Sequence, residues 1–427
     1  MRVPTLAIAL LLAAAAAARA EDQPLLHQVA AEVSAARQEA TIRRLLGFGT
    51  RHTLSDTRSN TRGIGAARRW VASEFAAMSR DCGGCLTIET PAQMVTAPPR
   101  VPVVAEIMDV LAIQRGTSDP GRVVVISGHI DSRVTDPMNA TADAPGANDD
   151  GSGVAAVMEA ARVLSQHRFA ATIVYAVLSG EEQGLHGGKV LADYAAAHGW
   201  RVEADLNNDI VGNTEGLSGV RDNSHVRVFS EGTKAVETSE QANRRRYNGG
   251  EVDSPSRNLA RFMDGLADRY LTGLDVVMVY RTDRFGRGGD QVRMLEAGYP
   301  AVRVTEAVEN YNRQHQDLRT EGGVRYGDVV DGVDFPYLAQ VTRLNAVTLA
   351  ALASAPAPPS GVEIAGAVTA DTTLTWTPAP EAARYRLWWR PTTEPQWRFS
   401  RLAEATGTAT LKAINIDDFF FGVSAVG

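Results

Sequence analysis

The chain has 427 residues, too many for a single small module and enough for a large α/β enzyme with an additional domain. Its content of 44% hydrophobic and 22% charged residues is that of an ordinary globular protein, which excludes disorder over most of the chain. The formal charge is -7 and no basic stripe runs along the sequence, so nucleic acid is not expected as the main partner.

The first 20 residues are predicted to be a signal peptide. Arg2 gives a positive start, residues 7–18 form an unbroken apolar run, and Ala-Arg-Ala at 18–20 fits a cleavage site. The run is too short for a stable transmembrane helix, and no later stretch reaches the roughly 18 apolar residues that spanning requires. We therefore expect a mature chain that begins at Glu21, is exported to the periplasm or secreted, and has no integral membrane segment.

The two cysteines, Cys82 and Cys85, are separated by two glycines. In an oxidising compartment such a pair most simply forms a local disulfide. A redox-active pair or half of a zinc site is the alternative, but the sequence has no second cysteine pair. We expect a structural disulfide.

The middle of the chain alternates between β-rich and helical patterns. A helical region with an apolar stripe at residues 64–75 comes first. The strands are then predicted at 103–113, 122–127, 171–178, 206–211, 225–229 and 301–305, and the helices at 152–166, 185–198 and 337–353. This alternation is typical of a doubly wound, mostly parallel sheet flanked by helices.

A domain boundary is predicted at the Pro-rich segment 354–359, which has the composition of a stiff linker. Residues 360–427 alternate like half-buried strands, with Trp376 and Tyr385 among the apolar positions. They resemble a fibronectin type III module, a small all-β sandwich. The segment is shorter than the roughly 100 residues of an immunoglobulin-like sandwich, so we expect the final strand to be missing. The sequence thus predicts domains at 21–353 and 360–427.

Acidic residues and one histidine are predicted at the ends of three strands and the start of one helix: His129, Asp131, Asp149, Asp150, Glu181, Glu182 and Asp209. Ligand sites in open α/β sheets lie at the carboxyl edge of the strands. So many carboxylates close together need a cation, because an isolated buried charge is too costly. The pattern predicts a site for a divalent metal.

Each part of this pattern also has a simpler interpretation. Asp149 and Asp150 could cap the following helix and complement its dipole. Glu181 and Glu182 alone could form a solvated turn. The metal hypothesis rests on the occurrence of all these groups after apolar strands.

The motifs resemble those of the co-catalytic dizinc aminopeptidases of peptidase family M28: His129-x-Asp131, Asn148-Asp149-Asp150-x-Ser152-Gly153, Glu181-Glu182-x-Gly184-Leu185 and Asp209. The resemblance covers residues 122–315. It implies that two zinc ions are bound, one by His129 and Asp209 and the other by Glu182 and His315, with Asp149 bridging both. It also implies that Glu181 is the general base and that Asp131 orients His129 through its second ring nitrogen.

His315 is the implied ligand least defined by spacing. It follows the strand at 301–305 in a His315-x-Asp317 context that resembles the last ligand of the family, although the usual Tyr-His adjacency is absent. His186 is nearer to the acidic motifs, but it stands where the family has a variable residue. With His315 the ligand set contains two imidazoles, which favours zinc over magnesium.

The segment from residue 287 to residue 302 resembles the part of the family that lines the substrate side of the site. Gln291 and Met294 depart from the family pattern, which leaves the specificity pocket undefined. Arg287 and Tyr311 are candidate substrate-binding residues that could stabilise the oxyanion. A surface ion pair is the alternative for Arg287.

The resemblance implies an exported metallopeptidase that hydrolyses the N-terminal bonds of peptides or proteins, with a water shared by two zinc ions as nucleophile and Glu181 as base. A nucleophilic serine is not expected, because no Gly-x-Ser-x-Gly motif occurs. A carboxypeptidase, a glutaminyl cyclase on the same fold and a catalytically silent binding protein are the alternatives. The cyclase would need only one metal. A silent protein would have lost Glu181 or a ligand, yet Glu181 and all the implied ligands are present.

Overall fold

The computed structural model describes residues 22–251 and 253–427, so the predicted signal peptide lies outside the described residues. Two compact units are present, Gln23–Ala355 and Pro356–Gly427. Within the described part of the chain, no helix combines the length and the apolar character needed to cross a bilayer.

The first unit alternates helices and strands along the chain. Its helices are α1 Pro24–Glu32, α2 Ala35–Leu46, α3 Gly63–Asp81, α4 Gly151–Leu164, α5 His186–Ala197, α6 Ser239–Asn248, α7 Pro255–Tyr270, α8 Gln291–Glu296 and α9 Phe335–Ser354. Its strands are β1 Leu86–Glu89, β2 Ala92–Ala97, β3 Val101–Met108, β4 Val110–Gln114, β5 Asp119–His129, β6 Ala171–Leu178, β7 Arg201–Asn208, β8 His225–Phe229, β9 Asp275–Val279, β10 Ala301–Glu306, β11 Arg319–Glu321 and β12 Val324–Tyr326.

Eight of these strands form one sheet in the order β1-β4-β6-β5-β7-β10-β8-β9. The four central strands, from β6 to β10 in this order, run parallel, and strands on both flanks include antiparallel neighbours. The predicted doubly wound, mostly parallel sheet is confirmed. Because β5, β6 and β7 run parallel, their carboxyl ends meet at one edge, where ligands bind in this architecture.

Helices cover both faces of the sheet, and alternate residues of β5 show how. Val124 and Ile126 point to the face packed by α4 and α9, whereas Val123 and Val125 point to the face packed by α5 and α8. All four side chains are fully buried. A strand that is apolar on both sides is what a sheet between two helical layers requires.

The strand predicted at 103–113 is wrong, because two strands occupy that range. β3 pairs only with β2 in a separate hairpin, and β4 joins the main sheet beside β6. The chain changes direction at Asp109, which is buried and accepts a hydrogen bond of 3.0 Å from the Ser179 N–H. Neither a glycine nor a proline marks this break in the sequence.

The second unit is an all-β arrangement of two three-stranded sheets in the described residues. Its strands are β13 Ser360–Ala365, β14 Thr372–Thr377, β15 Arg384–Pro391, β16 Phe399–Ala403, β17 Thr408–Leu411 and β18 Phe419–Val426. Trp376 from one sheet and Tyr385 from the other lie in a shared core, with ring centroids 5.1 Å apart. The prediction that this unit is a fibronectin type III module stays a prediction.

Cys82 and Cys85 form a disulfide between the end of α3 and the start of β1. Cys85 lies beside the Ser165 carbonyl, at the end of α4 opposite to Asp149. Replacing both cysteines by serine is expected to leave unchanged the zinc content and turnover that the family resemblance implies, and to lower stability by at most about 2 kcal/mol, since the closed loop is very short. Zinc analysis, activity assays and denaturant unfolding check this, and loss of metal or turnover would reveal a functional thiol pair.

Asp205 on β7 is a fully buried carboxyl whose burial raises its pKa to about 7, although it accepts a 2.8 Å hydrogen bond from the Ser127 hydroxyl. Its folded-state pKa lies above the unfolded value. The stability it contributes is therefore present below about pH 4 and is lost as the pH rises through about 7.

Asp205→Asn removes this titration. The unmodified chain loses this contribution as the pH rises from 5 to 8, and the variant does not. Over that range the free energy of unfolding of the variant should therefore rise by about 2–3 kcal/mol relative to that of the unmodified chain. Denaturant unfolding of metal-free protein at both pH values measures the difference without zinc linkage. Asp193→Asn, on the exposed side of α5, is the control. Parallel pH profiles for the Asp205 variant and the unmodified chain would contradict the argument.

Candidate active site

The candidate site lies at the carboxyl edge of the main sheet. His129 is the last residue of β5, Glu181 and Glu182 follow β6, and Asp209 directly follows β7. Asp149 immediately precedes Asp150, the N-cap of α4. These are the positions at which a parallel sheet delivers side chains to a common edge.

Two glycines allow α4 to approach this edge closely. A Cβ on Gly128 would come within 2.8 Å of the Gly153 backbone, and one on Gly153 would come within 2.4 Å of the Asn208 carbonyl oxygen. Any side chain at either position would therefore push the start of α4, and with it Asp149, away from the strand ends.

The side chains form two neighbouring clusters of potential metal ligands. His129, Glu181 and Asp209 make one cluster, and Asp149, Glu182 and His315 make the other. Within each cluster the ligand atoms lie within 4.8 Å of one another. All five residues predicted as ligands are therefore brought together, together with the predicted base.

Asp149 lies between the two clusters and offers one oxygen to each. Its Oδ1 is 3.3 Å from His129 Nε2, and its Oδ2 is 2.8 Å from His315 Nε2. On the outer sides, Asp209 Oδ1 is 3.8 Å from His129 Nε2, and Glu182 Oε1 is 2.9 Å from His315 Nε2.

Asp150 performs the capping function that was the alternative for the Asp pair. Its carboxylate accepts hydrogen bonds from the Gly153 N–H at 2.8 Å and from the His129 N–H at 2.9 Å. It thereby ties the start of α4 to the end of β5. Capping by Asp150 leaves Asp149 free to face the two histidines.

Asp131 lies beside the second ring nitrogen of His129. Its carboxylate is 3.5 Å from His129 Nδ1, and its backbone carbonyl is nearer, at 3.0 Å. The carboxylate also accepts hydrogen bonds from the backbone N–H groups of Gly180, Glu181 and Glu182. Asp131 therefore holds the turn that presents the two glutamates, and its backbone oxygen orients the imidazole.

Asp328 supports the site and was missed in the sequence. Its carboxylate accepts hydrogen bonds from the N–H groups of Asn148 and Asp149, at 2.9 Å and 2.7 Å. Burial raises its pKa to about 7. A lone Asp after a glycine carries no local signal for such a role.

Two arginines that contact the clusters were also missed. Arg133 lies 2.8 Å from Glu182 Oε2 and 2.6 Å from His315 Nδ1. Arg303 is fully buried on β10 and lies 2.7 Å from Asp209 Oδ2. Arg133 stabilises Oε2 of Glu182, and Arg303 stabilises Oδ2 of Asp209. The other carboxylate oxygen of each residue stays available to a metal ion.

A cavity of about 320 Å³ opens above the clusters and is lined by Glu181 and by Arg287. Arg287 also forms an ion pair of 3.0 Å with Glu309, the alternative given for this residue, and its role toward substrate stays a prediction. Tyr311 is 53% exposed and lies outside the residues that line this cavity. The structure therefore does not bring Tyr311 to the cavity with the others.

The electrostatics of the clusters fit a bound cation. Burial and the neighbouring charges of Asp209 and Glu182 hold the pKa of Glu181 well above its usual range. Burial alone would lower the pKa of His315, but the charges of Glu182 and Asp149 raise it to about 10. A proton held between two carboxylates occupies the place that a divalent ion would take.

The contacts of the buried ligand atoms support the same conclusion. His129 Nε2 lies 3.3 Å from Asp149 Oδ1, and Glu182 Oε1 lies 2.9 Å from His315 Nε2. The polar groups nearest to these buried atoms are therefore the other proposed ligands. Imidazole nitrogen and carboxylate oxygen are the donors that zinc takes in catalytic sites, so the residues present fit zinc.

Comparison with known proteins agrees with this chemistry. The sequence pattern of peptidase family M28 matches residues 109–320. A probable zinc metalloprotease of Leptosphaeria maculans is 45% identical over 399 residues, which cover 93% of this chain and 92% of the relative. This identity over almost the whole length of both chains shows a common family.

Solved structures share the fold at low sequence identity. The Legionella pneumophila LapA aminopeptidase has a TM-score of 0.56 and 18% identity, and the match covers 83% of this chain and 80% of that one. The Porphyromonas gingivalis glutaminyl cyclase has a TM-score of 0.50 and 16% identity, with coverage of 74% and 98%. The ligand clusters and the full-length relative together identify this chain as a zinc metallopeptidase of peptidase family M28.

Proposed function

We propose that the chain is an exported aminopeptidase that uses two zinc ions to hydrolyse the N-terminal bond of peptides. The observation that carries this proposal is the position of Asp149 between two clusters, with one oxygen toward each histidine. His129 and Asp209 would hold one ion, Glu182 and His315 the other, and Asp149 would bridge them. Zinc in such a pair polarises the scissile carbonyl and activates a shared water.

Glu181 is proposed as the general base. It belongs to the same cluster as His129 and Asp209 and lines the cavity in which the scissile bond would lie. Its carboxylate would take the proton of the attacking water and deliver it to the leaving amine. The turn hydrogen-bonded to Asp131 fixes the backbone of Glu181, so the base and the ligand Glu182 are positioned together.

The choice of an N-terminal substrate is supported by the LapA aminopeptidase, whose fold this chain shares. An assay of the mature chain against N-terminal aminoacyl amides and matched N-acetylated peptides tests it directly. We expect cleavage of the free amino series alone. Cleavage of blocked peptides alone would favour a carboxypeptidase or an endopeptidase.

The glutaminyl cyclase fold makes cyclisation the second candidate. Two complete clusters favour hydrolysis, because a cyclase of this fold is expected to need one metal. Incubation with a peptide that begins with glutamine separates the two by mass. Cyclisation loses ammonia from the intact peptide, whereas hydrolysis releases free glutamine.

Export is proposed from residues 1–20, which have the pattern of a signal peptide. The Cys82–Cys85 disulfide is consistent with an oxidising compartment. N-terminal sequencing of protein recovered from the exported fraction, with Glu21 as the expected first residue, tests this part of the proposal.

A further inference from the structure

The cavity above the clusters is unusually rich in arginine. Four arginines line it: Arg100, Arg133, Arg284 and Arg287. The single large apolar side chain among its described lining residues is Leu185. Such walls are poorly suited to bury an aliphatic or aromatic side chain, because the guanidinium groups would lose hydration without gaining a partner.

The lining carboxylates do not neutralise these arginines once metal is bound. All four of them, Asp149, Glu181, Glu182 and Asp209, are used as ligands or base in the proposed function, on which this inference rests. Two divalent cations would balance their four negative charges. The arginines are then neutralised only in part, by Asp283 and Glu309 outside the cavity lining.

Arg284 and Arg287 share their carboxylates with other arginines. Glu309 lies 3.0 Å from Arg287 Nη1 and 3.7 Å from Arg284 Nη1, and it also pairs with Arg227 at 2.8 Å. Asp283 lies 3.1 Å from Arg284 Nε and 3.5 Å from Arg303 Nη1. The side chain of Arg284 is only 9% exposed, and its Nη1 has no hydrogen-bond partner among the described residues. A buried guanidinium nitrogen without an acceptor marks a place where a ligand oxygen would be stabilised.

Arg284 is also close to the reacting centre. Its Nη2 lies 4.0 Å from Oδ2 of Asp209, a proposed ligand. An anion bound by Arg284 and Arg287 would therefore lie next to the metal pair, within one residue of the scissile bond. On the Glu182 side, Arg100 donates to the Glu182 carbonyl at 2.7 Å and forms no ion pair in the described part of the chain.

We propose that Arg284 and Arg287 form a carboxylate-binding subsite, so that the enzyme prefers substrates with a carboxylate beside the scissile bond. The planar fork of arginine suits bidentate recognition of this group. The carboxylate can come from an acidic side chain of the N-terminal residue or from the free C-terminus of a dipeptide. Both sources present the same chemistry to the two arginines.

Isosteric substrate pairs test the proposal and separate the two sources. The zinc-loaded mature chain is assayed with glutamyl against glutaminyl amides, and with alanyl-alanine against alanyl-alaninamide. A hydrogen bond to a charged group is worth about 10 to 100-fold, so we expect a preference of that size in kcat/KM for the carboxylate member of one pair. The responding pair identifies the source.

Variants connect the preference to the arginines. Arg287→Gln is expected to reduce the carboxylate preference at least about tenfold, and Arg287→Lys, which keeps the charge without the fork, should restore part of it. Arg287 is partly exposed, so the substitution should be tolerated. Arg281→Gln is the matched control, because Arg281 is an exposed residue of the same loop that does not line the cavity.

A binding measurement keeps the test independent of turnover. Calorimetric titration of the zinc-loaded chain with free glutamate and with free glutamine should show tighter binding of glutamate, and Arg287→Gln should remove the difference. Activity without any carboxylate preference would overturn the subsite and leave the proposed peptidase intact. If the protein is inactive on all substrates, the binding measurement still tests the subsite. Equal binding of glutamate and glutamine would then contradict the proposed subsite. A preference that persists in both Arg284→Gln and Arg287→Gln also overturns it.

Discussion

Glu181→Gln is expected to lower kcat by about 100 to 10,000-fold while both metal sites stay filled, because general-base catalysis typically contributes that factor. The amide keeps the size of the side chain and cannot accept the proton. Steady-state kinetics on an aminoacyl amide, together with zinc analysis of the same sample, measure both effects. A base that acts on an activated water should fall in the upper part of this range.

Glu182→Gln is the matched control, since it makes the same chemical change at the adjacent residue. Glu182 Oε1 lies 2.9 Å from His315 Nε2, so this variant should weaken one metal site. Zinc added in excess should recover part of its activity, whereas Glu181→Gln should not respond to zinc. Near-normal turnover in Glu181→Gln would reject its assignment as the base.

The sequence predicted the site well where ligands follow strong local patterns. Strand β6 was predicted with the bounds found in the structure, and helix α4 within two residues at its C-terminal end. The apolar runs that end in small residues therefore placed His129 and Glu181 at the sheet edge, and the predicted start of the helix placed Asp149 there. His315 lies in an irregular segment, with a left-handed backbone conformation at φ 53°, and only the family resemblance indicated it.

The supporting residues could not be predicted, because their contacts join distant parts of the chain. Arg133 and His315 are 182 residues apart in sequence, and Asp328 and Asp149 are 179 apart. No periodicity or spacing links such pairs. The same limit explains the second role of Asp131, whose carboxylate lies beside His129 and also accepts a hydrogen bond from the Glu181 N–H, about 50 residues downstream.

The hairpin of β2 and β3 shows a different limit. Residues 103–113 read as one continuous β-rich run, since neither glycine nor proline interrupts them. What divides them is tertiary: Asp109 is buried as an acceptor for the Ser179 N–H. The division matters for function, because the turn between β2 and β3 carries Arg100 into the active-site cavity.

Protein purified without chelator is expected to contain close to two zinc ions per chain, and chelation should abolish turnover until zinc is restored. The expectation rests on two clusters, one with His129 and Asp209 and the other with Glu182 and His315, and on Asp149, which offers one oxygen to each histidine. Zinc binding should tighten as the pH rises, because the ion replaces the proton that His315 otherwise holds. Metal analysis after dialysis against zinc-buffered solutions at pH 6 and pH 8 measures both.

Asp149→Asn separates a bridged pair from two independent sites. If Asp149 offers one oxygen to each ion, loss of its charge should reduce the occupancy of both, to well below one zinc per chain at a zinc concentration that saturates the unmodified enzyme. Asp209→Asn should reduce only the site that contains His129, because Asp209 faces that cluster alone. Two zinc ions retained in Asp149→Asn would show that the sites are independent, and a value near one in the unmodified chain that excess zinc does not raise would favour a single-metal enzyme.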